Sequence, residues 1–92
     1  MIVGSLRVRL LLREARTLKD KRQVVRSIKD RVRHRFNVSV AEVEAQDNCR
    51  LAVLGLAMVG NEVRHVRTTL EQITEALRRH PVAELLDHEL EV

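Results

Sequence analysis

Residues Cys49 to Val59, CRLAVLGLAMV, are almost wholly apolar on both parities of an extended chain. A half-buried strand alternates apolar and polar residues, and an amphipathic helix turns a polar face outward every three or four. A run with neither pattern is a central strand covered on both faces, or a buried helix. Gln46, Asp47 and Asn48 just before it make a hairpin turn, and Gly55 interrupts it, so the strand reading is favoured.

The neighbouring segments are patterned more plainly. Ile2 to Leu12 alternates, with Leu6, Val8, Leu10 and Leu12 on one side and Ser5, Arg7, Arg9 and Leu11 on the other: a half-buried strand. Asn37 to Ala45 reads as a second strand with Val38 and Val40 on one face. Val43 and Ala45 change parity, which predicts a bulge near Ala41–Glu42. After Gly60, Asn61 is placed to cap a helix in which Val63, Val66, Leu70, Ile73 and Leu77 step by three and four residues. Arg78, Arg79 and His80 suit its negative end, and Pro81 stops it. Leu86, His88, Leu90 and Val92 then alternate with Asp87, Glu89 and Glu91 in a last strand.

Thr17 to Phe36 reads as the first helix. Leu18, Val25, Ile28, Val32 and Phe36 form its apolar stripe, widened by Val24, and Thr17 with Asp20 makes an N-terminal capping box. At about 100° per residue, Lys19, Arg22, Arg26, Lys29 and Arg33 gather in a second stripe beside the apolar one. Residues 1–36 hold twelve Lys or Arg against three acids, whereas residues 37–92 hold five against ten. A basic stripe so little interrupted is a candidate contact for a polyanion; the alternative is a solvated face beside a core. Lys21 falls at the centre of the apolar stripe. Either its stem snorkels past the sheet edge, or it joins Lys19 and Arg22 in a small anion site near the helix N-terminus. Lys21 is therefore counted with the stripe among the candidate phosphate contacts.

The order βαββαβ over residues 1–92 is that of one ferredoxin-like α+β domain, a four-stranded antiparallel sheet of order 4-1-3-2 with both helices on one face. The handedness of crossovers is expected to set the first and third strands side by side and parallel. Asp87, Glu89 and Glu91 then come beside Arg7 and Arg9 on the open face, a favourable pairing of charges. In the third strand either Leu54, Leu56 and Met58 or Val53, Ala57 and Val59 must face away from the helices. Leu11, Leu54, Leu56 and Met58 are the expected open-face patch, an interface for a homodimer or a partner protein, unless the Arg7 and Arg9 stems shield it.

Phe36 is the only aromatic residue, so the core is aliphatic and Phe36 belongs in it. Base stacking on the sheet is thereby disfavoured, which leaves phosphate contact by Lys and Arg. The single cysteine, Cys49, allows no internal disulfide, which fits a reducing cytosol. No leader-like apolar segment follows Met1, and no run reaches the roughly 20 apolar residues of a membrane span. A cytoplasmic protein with no membrane partner is expected. His34, His65, His80 and His88 lack ligand spacing, Cys49 has no second cysteine, and Gly55 and Gly60 make no phosphate loop. No metal, cofactor or catalytic residue is nominated, and the expectation is a protein that is not an enzyme.

The segments MIVGSLRVRLLL, TLKDKRQVVRSIKDRVRHRFNVSVAEV, LGLAMVGN and ELLDHELEV together resemble the YlxP-like family of small bacterial proteins of unknown function, over nearly the whole chain. LKDKR followed by RFNVSVAEV is the most specific part. The resemblance implies a ferredoxin-like fold. It also implies a gene neighbourhood of transcription-termination, translation-initiation and ribosome-binding factors, hence a role around RNA, ribosome maturation or translation. The expected function is a non-catalytic domain that binds RNA or a ribosomal particle through its first helix. The alternative is a homo-oligomeric interaction module with no nucleic-acid role.

Overall fold

The computed structural model describes residues 1–92 as β1 (Ile2–Leu11), α1 (Leu18–Arg35), β2 (Ser39–Glu44), β3 (Leu51–Gly60), α2 (Val63–Arg78) and β4 (Glu84–Glu91). The strands form one sheet of order β2-β3-β1-β4, and every neighbouring pair is antiparallel. Both helices pack on one face, where Leu6, Val8 and Leu10 of β1 meet Val25 and Ile28 of α1 and Val66 and Leu70 of α2 in a single core.

The first and third strands are neighbours, but they are antiparallel rather than parallel. α1 carries the chain back along β1, so β2 starts again in the direction of β1. The short connection after Glu44 then reverses β3. The handedness rule for parallel crossovers applies to β1 and β2, which have β3 between them.

Local chemistry sets the element ends. Thr17 Oγ1 accepts from the Asp20 amide at 3.1 Å, and Asp20 Oδ2 accepts from the Thr17 amide at 3.2 Å, closing the expected capping box. Asp20 also accepts from the Arg16 amide, and this bond above all holds its carboxyl below the usual 3.8. At α2 the N-cap is Glu62 rather than Asn61, with no side-chain cap. Glu62 is extended, so the helix begins one residue later than an Asn61 cap requires. In β2 the register against β3 shifts between Glu42 and Glu44, close to the expected bulge. The shift lays Val43 over Gly55, where a Cβ would stand 2.8 Å from Val43 Cγ1. Gly55 thus permits a close approach across the sheet.

Phe36 is only partly buried at the margin of the core, not within it. Its amide donates to Val32 O as the C-cap of α1, so its backbone has already left the helix. The Arg35 guanidinium lies 5.1 Å from its ring centroid.

Candidate nucleic-acid interface

α1 buries Lys21, Val25, Ile28 and Val32, and this face fixes where its other residues point. Lys19, Arg22, Arg26, Lys29 and Arg33 fall on the flank beside β2, since Arg33 Nη2 donates to Val40 O at 3.0 Å. At 1.5 Å per residue the stripe is about 21 Å long. Lys29 is half-buried and the other four are exposed.

What distinguishes this flank is the absence of ion pairs. Six ion pairs form in the molecule, and α1 enters only one of them, through Lys21. Lys19, Arg22, Arg26 and Lys29 make no ion pair and no side-chain hydrogen bond, and Arg33 meets only a backbone carbonyl. On the open sheet face the opposite holds. Arg7 pairs with Glu89 and Arg9 with Asp87, as the alternation of charge on β1 and β4 led one to expect, and Arg7 also pairs with Glu44 of β2. Glu91 lies further along, opposite Ser5.

Lys21 is not part of this face. Its side chain is 1% exposed, and Nζ donates to the carbonyls of Ala45 (2.6 Å), Asn48 (2.7 Å) and Leu51 (2.9 Å). It neither snorkels to the sheet edge nor joins Lys19 and Arg22 at an anion site. The hairpin between β2 and β3 folds over the amine, helped by Ala45 in the left-handed region at φ 59°. A buried ammonium is tolerable because all three protons have acceptors and Glu42 supplies a counter-charge. Glu42 was not anticipated as its partner. The available signal was parity: Glu42 shares the inward side of Val40.

The apolar patch is also placed differently. Leu54, Leu56 and Met58 stand opposite Val8, Leu6 and Gly4, on the helix side of the sheet, and are buried in the core. Directly paired residues share a face, so the inward parity of β1 dictates that of β3. Leu11 does lie on the open face, half-buried. The apolar side chains left exposed there include Val43 over Gly55 and, at one end, Val3 and Val59, a paired couple each 57% exposed. Val53, in register with Arg9 and Glu44, is sealed.

Cys49 is half-buried, its thiol 3.9 Å from Ala15 O. His80 Nδ1 accepts from the amides of Val82 (3.3 Å) and Ala83 (3.2 Å), tying down the α2–β4 connection. Nowhere do three His, Cys, Asp or Glu side chains converge as a metal would require.

Element order and register define a small ferredoxin-like α+β domain, and the α1 flank beside β2 gives it a cationic face without ion pairs. Residues 3–90 match the model of the family described as "Protein of unknown function (DUF503)", and the chain belongs to that family. A Bacillus subtilis (strain 168) protein described as "Uncharacterized protein YlxP" is 28% identical over 83 residues, 90% of each chain. A de novo designed protein with ferredoxin fold, solved by solution NMR, superposes with a TM-score of 0.61 at 16% identity, covering 100% of this chain and 87% of its own. That likeness concerns the fold alone.

Proposed function

We propose that this protein is a non-catalytic RNA- or ribonucleoprotein-binding domain of the cytoplasm, which contacts phosphates through the β2-side flank of α1 and serves ribosome maturation or translation. The observation that carries this reading is the contrast in pairing. The open-face arginines are paired with acids, whereas Lys19, Arg22, Arg26 and Lys29 enter no ion pair. Arginine forks suit phosphate, and a phosphate contact positions a protein without specifying sequence. No helix is long and apolar enough to cross a membrane.

A salt titration of binding to structured and single-stranded RNA tests it. Three or four simultaneous contacts give an affinity that falls about 20- to 50-fold between 50 and 200 mM salt for a single strand. Arg22→Glu with Arg26→Glu should weaken binding and flatten that slope while the protein stays folded. Equal affinity and equal slope in the folded double variant would remove α1 as the contact.

A second reading rests on the exposed Val3–Val59 couple at one end of the open face. It is a homodimer or a protein partner seated on that end of the sheet, and it is compatible with the first.

A further inference from the structure

A groove of about 360 Å³ lies between the C-terminal parts of α1 and α2, on the flank of α1 away from the stripe. Its floor is apolar, with Ile28, Val32 and Leu77 buried beneath it and Phe36 at its margin. Every ionisable side chain on its lining is basic: Arg31, His34 and Arg35 of α1, and His80 beyond α2. None of the four enters an ion pair. The other large grooves mix signs: Arg7 with Glu89 and Glu91 on the open face, Arg13 with Glu14 and Glu84 beside β4.

The donors here are also pre-set. Arg35 is held over the Phe36 ring. Because His80 Nδ1 accepts two amides, the neutral ring carries its proton on Nε2, which has no acceptor in the chain. Burial, and then the Arg31 guanidinium, push this imidazole below its ordinary range. Basic side chains above an aliphatic floor, with no carboxylate on the lining, are complementary to an anion that carries an apolar body.

We propose that this groove binds a small organic anion, its carboxylate or phosphate head held by Arg31, Arg35 and His80 and its compact acyl or aryl body laid on Ile28, Val32 and Leu77. The volume is at the small end of ligand sites, about 300–1,000 Å³, which suits a compact body. The planar guanidinium fork accepts either head.

Amide NMR titrations of the full chain with hexanoate and with phenyl phosphate test this, with hexanol and inorganic phosphate as the half-ligands. Saturable shifts at Ile28, Val32, Leu77 and His80 are expected from both organic anions. Each half-ligand should bind about tenfold or more weakly, having lost either the charged hydrogen bonds or the buried body. Arg31→Gln, an exposed change, should weaken both organic anions by about tenfold. The His80 ring gives a second readout. A bound anion offsets Arg31 and should raise its titration midpoint, against the fixed surroundings of Arg13, Glu14, Arg78 and Glu84 in the adjoining groove. No saturation by about 10 mM, equal binding of hexanol and hexanoate, unchanged affinity in Arg31→Gln, or shifts confined to the Lys19–Arg33 stripe would each overturn the proposal.

Discussion

Lys21 Nζ stands 2.6 Å from Glu42 Oε2 in an ion pair whose amine is buried. The amine also donates to the carbonyls of Ala45, Asn48 and Leu51, so four oxygens surround it and the carboxylate supplies the counter-charge. Lys21→Met would strand three carbonyls and a partly buried carboxylate. It should destabilise the fold by about 3–5 kcal/mol, seen as a lower urea midpoint at unchanged slope. Glu42→Gln keeps the three carbonyl acceptors of the amine and should cost clearly less. A Lys21→Met protein as stable as wild type would mean that the cage contributes nothing.

Two glycines separate rigid from yielding neighbours. A Cβ on Gly4 would collide with Val66, fully buried in the core, whereas one on Gly55 would meet Val43, exposed at the bulge. Gly4→Ala should therefore cost about 1–3 kcal/mol and Gly55→Ala less, because Val43 can rotate away. Thermal unfolding of the two variants ranks them, and the reverse order would contradict this packing.

Parity in β3 is open to a direct charge test. Leu54→Glu places a carboxylate in the core and should abolish cooperative unfolding. Val59→Glu lies on the open face and should leave the domain folded. If the Val3–Val59 end seats a second copy, light scattering at high concentration should show Val59→Glu as the smaller species. Identical masses for wild type and variant would leave the dimer without support.

His80 gives the protein a pH dependence with a defined sign. Its folded pKa is lowered from 6.5, chiefly by burial. Between that lowered value and 6.5 the unfolded chain binds more protons, so the His80 contribution is complete above 6.5 and is lost as pH falls towards the folded pKa. Thermal midpoints measured from pH 7.5 down to 5.5 should decline more steeply in wild type than in His80→Asn. Parallel declines would place the effect elsewhere.

Much of this arrangement is legible along the chain because its causes are local or lie on adjacent strands. The Thr17–Asp20 box spans three residues, and the pairing of Arg9 with Asp87 follows from two alternating strands once the order is known. β3 is harder. Both of its parities are apolar, so periodicity alone does not say which side faces the helices. Bulk does: Leu54, Leu56 and Met58 outweigh Val53, Gly55 and Ala57, and the larger set fills the core. Lys21 is harder still. Its acceptors are backbone carbonyls 24 to 30 residues away, and a carbonyl leaves no trace in residue type. The basic groove likewise draws on α1 and on the residue that follows Arg79, brought together only when the helices pack side by side.

Hairpin tips are ordinarily among the first parts of a domain to open, since few contacts hold them. Here Ala45, Asn48 and Leu51 are tied to an amine rooted in the first turns of α1. The tip cannot lift without baring that charge, so it has no inexpensive local excursion of its own. Deuterium should enter the β2–β3 hairpin and the start of α1 in one concerted event. The connection between two strands thus becomes part of the same cooperative unit as a helix that comes before both of them in sequence.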